Sequence, residues 1–171
     1  MHIGGITKNT LLDYPGRVAA TIFTGGCNLR CLFCQNSSLV EGLIPEIKET
    51  DVLSFLEKRK GLITGVCISG GEPTLQPDLA HFLREIKDMG YDVKLDTNGF
   101  EPQVLRNLAA EELVDYIALD IKTSKPGYRA LCNTDIDLDK LDESIKRSQE
   151  LIEQCREFLR TARTKVEQLG K

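Results

Sequence analysis

Apolar and polar positions along this chain follow two alternating rhythms. The short apolar runs Val18–Phe23, Gly65–Ile68, Tyr91–Leu95 and Val114–Ile121 read as buried strands. Between them the period lengthens. A helix begins at Asp51-Val52-Leu53 and stops near Gly61, and a second runs from Asp78 to Met89 with Leu79, Phe82, Leu83 and Ile86 on one face. A third covers Pro102 to Glu112. Strands alternating with helices of about ten residues imply parallel pairing through βαβ crossovers. The opening stretch reads as an entry punctuated by Gly4, Gly5, Pro15 and Gly16, to which no strand is assigned. Near the end the rhythm changes again: Leu138, Leu141, Ile145, Ile152, Cys155, Leu159, Ala162, Val166 and Leu169 follow steps of three and four, broken only at Ser148. That repeat predicts a helical segment that either lies on the domain or protrudes to pair with another chain. The expected division is a core over 1–137 and a helical segment over 138–171.

Every predicted strand ends on residues that carry chemistry. The first runs into Gly25-Gly26-Cys27-Asn28-Leu29-Arg30-Cys31-Leu32-Phe33-Cys34, three of the chain's six cysteines within one short loop. The others end on Ser69-Gly70-Gly71-Glu72-Pro73, on Asp96-Thr97-Asn98-Gly99, and on Asp120 with Lys122. In barrel-like α/β folds the βα loops converge at the carboxyl ends of the strands, so four such loops point to one site. A CxxxCxxC triad supplies three thiolates and leaves a fourth position open; soft sulfur ligands suit zinc or an iron–sulfur cluster. Which of the two it serves is not settled by the spacing.

Composition narrows the setting. With 171 residues, 41% hydrophobic and 28% charged, the chain is long enough for one self-sufficient core. A net charge of −4 with no basic block argues against nucleic acid or anionic membrane as partner. No apolar run approaches the roughly 20 residues that span a bilayer. The opening Met1-His2-Ile3-Gly4-Gly5 lacks a secretory pattern. A cytoplasmic location follows as the expectation, where clustered cysteines serve metal or catalysis rather than disulfides. Cys132 and Cys155 have no partner at ligand spacing and read as inert thiols, and His81 as solvent-facing. Cys67 sits inside a strand and offers a zinc site only a poor fourth ligand.

The triad with Phe33 before its last cysteine, followed by Gly70-Gly71-Glu72-Pro73, resembles the radical S-adenosylmethionine superfamily. The further stretches Leu12-Asp13-Tyr14-Pro15-Gly16, Cys34-Gln35-Asn36, Leu95-Asp96-Thr97-Asn98-Gly99 and Val114–Lys122 resemble the activating proteins of anaerobic ribonucleoside-triphosphate reductases, which belong to the glycyl-radical-enzyme activases. The likeness covers about residues 3 to 132. It implies a partial (β/α) barrel, which in this sequence reads as truncated and carrying a long helical C-terminus. It implies a 4Fe–4S cluster on Cys27, Cys31 and Cys34, whose open iron chelates S-adenosylmethionine. Gly70 and Gly71 would let backbone approach that cofactor, Glu72 would accept from its ammonium group, and Phe33 would flank the adenine. Asp96, Thr97 and Asp120 would help to hold a monovalent cation beside the cofactor carboxylate, which Lys122 would neutralise. Asn36 would donate from just outside the cluster. The implied activity is formation of a 5′-deoxyadenosyl radical that takes a hydrogen atom from a glycine of an anaerobic ribonucleotide reductase, with flavodoxin or ferredoxin as electron source. Two other readings stay open: a radical enzyme acting on a small molecule, as the deazaguanine-forming relatives do, and a shortened, non-catalytic metal-binding or interaction module. The chain departs from the pattern after the fourth helix, where relatives add strands and this sequence reads as helix.

Overall fold

The computed structural model describes residues 1–150, 152 and 153. Five strands form one sheet in the order in which the chain makes them: β1 (Ile3–Thr10), β2 (Ala19–Thr24), β3 (Gly65–Gly70), β4 (Asp92–Thr97) and β5 (Tyr116–Leu119). The four strands from β2 to β5 run parallel. The helices α1 (Ser37–Val40) and α2 (Glu49–Arg59) lie between β2 and β3, α3 (Leu79–Asp88) between β3 and β4, and α4 (Pro102–Ala110) between β4 and β5. A short helix α5 (Tyr128–Cys132) follows β5, and α6 spans 138–150. Parallel strands laid down in sequential order through helical crossovers make a barrel wall rather than a doubly wound sheet. The architecture is the α/β partial barrel that the resemblance implies, built on the parallel pairing that the alternation predicts.

Two features differ from the sequence reading. The opening stretch, to which the sequence reading assigns no strand, forms β1, antiparallel to β2 with irregularities in register between Ile3 and Gly5 and between Thr7 and Thr10. Two glycines and a polar, exposed second half left β1 without an alternating apolar signal. The last strand is shorter than Val114–Ile121, since Leu113 N–H is used to close α4 on Leu108 O (3.0 Å) and the chain beyond Leu119 turns so that Lys122 N–H donates to Tyr128 Oη (3.0 Å).

The two faces of the sheet are divided by strand alternation. Ala20, Ile22, Val66, Ile68, Val93 and Leu95 point to the helical side, where Leu56 of α2, Phe82, Leu83 and Ile86 of α3 and Leu108 of α4 close over them. Each of these fully buried side chains contributes on the order of 1.5–3 kcal/mol. The opposite, concave face is polar: one row across the sheet reads Thr21, Cys67, Lys94, Tyr116 in register. A second apolar cluster of Leu29, Phe100, Tyr128, Cys132 and Leu141 ties the cysteine loop to α5 and α6. Within α6, Leu141 is buried and Ser144 Oγ donates to Gly99 O (2.7 Å), whereas Ile152 beyond it is exposed. The helix therefore packs on the core at its start. The predicted seam positions Cys155, Leu159, Ala162, Val166 and Leu169 lie outside the described residues. Among the described residues no helix is long and apolar enough to cross a membrane.

Candidate active site

The cysteine loop leaves the end of β2 and is pinned from both sides. On one side Arg30 N–H and Leu32 N–H donate to Cys132 O (2.9 Å) and Leu131 O (3.1 Å) of α5. On the other, Gly71 N–H donates to Thr24 O and Glu72 N–H to Gly26 O, both at 2.8 Å. The two glycines are required by that contact. Gly70 has φ +113°, a conformation open to glycine, and a Cβ on Gly71 would lie 1.9 Å from Gly26 O. The backbone that approaches Gly70 is thus the end of β2 at Phe23 and Thr24, and the backbone that approaches Gly71 is the cysteine loop at Gly26. Asn36 Nδ2 adds a bond to Gly70 O (3.2 Å), joining the far end of the same loop to the turn. His2, for which the sequence offered no motif, also belongs here: its carbonyl accepts from Gly25 N–H (3.1 Å) and its ring packs where a Gly25 side chain would be.

Glu72 is the hub beneath this turn, with 1% of its surface exposed. Its Oε1 accepts from Thr74 N–H (3.1 Å), Thr74 Oγ1 and Thr97 Oγ1 (2.7 Å), and its Oε2 from Asn98 N–H (2.7 Å). Burial raises its pKa above the usual carboxylate range although these donors pull the other way. Both oxygens are therefore engaged from within the protein. Asn98 carries the network onward: its Nδ2 donates to Asn28 Oδ1 (2.6 Å) and reaches Cys27 Sγ (3.9 Å). Leu29 N–H points at the same sulfur (3.4 Å). Asn98 was read from sequence as part of a turn; its adjacency to Asp96 and Thr97 was the available signal, and the contact that matters spans more than seventy positions along the chain.

A cleft of about 810 Å³ opens over this assembly. Cys27, Cys31 and Cys34, Phe33, Gly70, Gly71 and Glu72, Asp96 and Thr97, and Asp120 and Lys122 all line it. Their side chains are not equivalent. Successive residues on a strand point to opposite faces. Asp96 faces the concave side, paired with Lys94, and Cys67 Sγ lies 3.5 Å from it. Thr97 turns the other way, donating to Glu72 and accepting from Gly99 N–H (3.1 Å). Asp120 is paired with Lys122, whose ammonium stands 6.0 Å from the centre of the half-exposed Phe33 ring.

Cys27 and Cys31 sit in surroundings that favour their protonated form until a metal displaces the protons. Burial raises the Cys27 pKa, and burial with the neighbouring Cys132 thiol pushes Cys31 up to about 11. Cys132, expected to be inert, is thus fully buried beside a triad cysteine. Among the described residues no three such side chains converge on a point that would hold one metal ion. A single zinc would need its thiolates about 2.3 Å from a common centre. A cubane binds each cysteine through a different iron, so three thiols along one cleft wall, with N–H donors aimed at one sulfur, fit a cluster.

Comparison with known proteins follows the same line. Residues 21–159 match the profile of the Radical SAM superfamily, whose members use a 4Fe–4S cluster and S-adenosylmethionine. A protein of Methanocaldococcus jannaschii named, by inference, a glycyl-radical enzyme activating enzyme is 36% identical, over 74% of this chain and 52% of its own. A Pyrococcus horikoshii protein named as a GTP 3′,8-cyclase is 28% identical over 82% of this chain and 46% of its own. A 7-carboxy-7-deazaguanine synthase of Neisseria meningitidis is 34% identical over 63% of this chain and 45% of its own. The chain thus spans about half the length of these curated relatives. The solved structure of TYW1 with a lysine–pyruvate adduct bound superposes with a TM-score of 0.50 at 20% identity, covering 80% of this chain and 52% of that one, which supports the fold.

Proposed function

The chain belongs to the radical SAM superfamily, and on that premise we propose that it is a glycyl-radical-enzyme activase. The observation that carries the radical chemistry is one cleft lined by Cys27, Cys31 and Cys34 together with the Gly70–Glu72 turn, which is bonded to the start of the cysteine loop at Gly26. Cluster and S-adenosylmethionine together supply a reductively generated 5′-deoxyadenosyl radical. The chain's own residues do the rest. Cys27, Cys31 and Cys34 hold the cluster; Gly70, Gly71 and Glu72 shape the wall beside the methionine end; Phe33 stands where it can flank the adenine; Lys122 and Asp120 set the charge at the far strand end.

The substrate is the backbone glycine of a partner enzyme, an anaerobic ribonucleoside-triphosphate reductase, and the electron comes from a cytoplasmic flavodoxin or ferredoxin. Exposed apolar side chains next in sequence to residues that line the cleft support a peptide rather than a small polar molecule: Leu32 is 74% exposed and Ile121 51%. So does the name of the archaeal relative. The competing reading, a radical enzyme acting on a nucleobase or nucleotide, is favoured by the cyclase and deazaguanine-synthase relatives.

Anaerobically reconstituted protein, reduced with dithionite and given S-adenosylmethionine, is expected to release 5′-deoxyadenosine. Mixed with an anaerobic reductase, it is expected to produce a glycyl doublet by electron paramagnetic resonance. Deoxyadenosine release without any such doublet, accelerated instead by GTP or a pterin, would overturn the activase reading in favour of its competitor.

A further inference from the structure

Three residues, Asp96, Thr97 and Asp120, stand at the strand ends where the resemblance implied a monovalent cation. Each of the three side chains already has a partner within the protein. The Asp96 carboxylate is paired from beneath by Lys94, whose Nζ also lies 3.7 Å from Cys67 Sγ and 6.0 Å from the centre of the Tyr116 ring. Lys94 occupies the row of the concave face just below Asp96, and only 7% of its surface is exposed. Thr97 Oγ1 is spent between Glu72 and Gly99 N–H on the opposite face of β4. Asp120 is paired with Lys122. At these strand ends two carboxylates thus meet two ammonium groups, so neither Asp96 nor Asp120 offers an uncompensated negative charge to an inorganic cation.

We propose that Lys94 is a positioning residue that takes the place of that cation, neutralising Asp96 from below the cleft floor so that S-adenosylmethionine binds without a bound metal ion at the Asp96, Thr97 and Asp120 positions. The inference rests on the cofactor of the superfamily but not on which substrate the enzyme attacks. An ammonium on a tether differs from potassium in two ways. It needs few ligands, here Asp96 and the neighbouring thiol, and it cannot dissociate, so the charge on the floor is independent of the salt outside. A buried ion pair that loses one member leaves an unpaired charge. Removing the lysine should therefore create the cation site that the wild-type chain lacks.

The test reads cation binding directly. Thallous ion, a potassium mimic, is titrated by thallium NMR against wild-type holoprotein, Lys94→Met, and the double variant Lys94→Met/Asp96→Asn. Wild type is expected to show no saturable, potassium-displaceable binding. Lys94→Met should gain it, and the double variant, with no anionic ligand left to attract the ion, should lose it again. In parallel, S-adenosylmethionine affinity is measured by calorimetry in tetramethylammonium, sodium and potassium buffers of equal ionic strength. Wild-type affinities should agree within about twofold, under about 0.5 kcal/mol, while Lys94→Met should respond to potassium by about tenfold. Saturable thallous binding to wild type, or a Lys94→Met protein that gains none, overturns the proposal. If wild type takes up no S-adenosylmethionine in any buffer, the proposed function fails, and the thallous titration still decides the role of Lys94.

Discussion

Replacing Gly71 by Ala should damage this protein well beyond what one methyl group suggests. The added Cβ would lie 1.9 Å from Gly26 O, whereas ordinary contact begins at 3.4 Å, so one backbone must retreat by about 1.5 Å. Neither can do so alone, because Gly71 N–H and Glu72 N–H hold the β2 end and the cysteine loop at 2.8 Å each. Overpacking of this kind costs about 1–3 kcal/mol, and losing two backbone hydrogen bonds adds about 0.5–1.5 kcal/mol apiece. Restricting the unfolded chain returns about 0.4–1 kcal/mol. A net loss of about 2–5 kcal/mol remains, which for a chain of this size lowers Tm by roughly 5–15 °C. The displaced loop carries all three triad cysteines, so iron bound after anaerobic reconstitution should fall in parallel. Gly5→Ala is the control: its nearest neighbours are Phe23 side-chain atoms at 3.6 Å or more, and it should stay within about 0.5 kcal/mol of wild type. A Gly71→Ala protein that melts within about 2 °C of wild type and holds the same iron would refute the reasoning.

Three further outcomes follow from the geometry. Ser144→Ala removes the buried bond to Gly99 O that seats α6 and should cost about 1–2 kcal/mol by urea denaturation, with Tm lowered and cluster uptake retained. Burial, with Asp96 nearby, pushes the Cys67 thiol up to about 12 from an ordinary value of 9.0. Its folded-state pKa lies above the unfolded one, so its contribution to stability is complete below pH 9 and is lost as pH climbs toward 12, at most roughly 4 kcal/mol. Wild type should therefore weaken more steeply than Cys67→Ala between pH 8.5 and about 10.5, and equal slopes would contradict this. Cys31→Ala should lose both iron and deoxyadenosine release, while Cys132→Ala should keep the iron and show a more reactive Cys31 thiol on alkylation of the apoprotein, since burial and Cys132 now suppress that thiolate.

Much of this was written in one dimension. The alternation of apolar runs with amphipathic stretches is a local property, fixed by periods of 2 and 3.6, and it specified β2 to β5 with α2, α3 and α4 between them, though not the short α1. The cysteine spacing and the Gly-Gly-Glu run are local as well, and parallel strands in sequential order bring strand ends to one side, so a single cleft lined by these motifs followed from the pattern. β1 did not follow, because two glycines and a polar half carry no periodic signal and the strand exists only through its pairing with β2.

What only the tertiary structure decided is which way each group faces and what it already holds. Sequence placed Asp96 and Thr97 side by side as one ligand pair; the pleat sends them to opposite faces, one to Lys94 and the other to Glu72. Glu72 itself read as a group waiting for a ligand, yet four donors occupy its oxygens, two from nearby Thr74 and one each from Thr97 and Asn98 at the end of β4. Cys132 had no partner at any recognisable spacing and lies beside Cys31, brought there by the packing of Leu29, Phe100, Tyr128 and Leu141. Spacing rules see neighbours along the chain, whereas charge compensation and burial depend on neighbours in space; the identity of the chemistry was therefore local and its electrostatics were not.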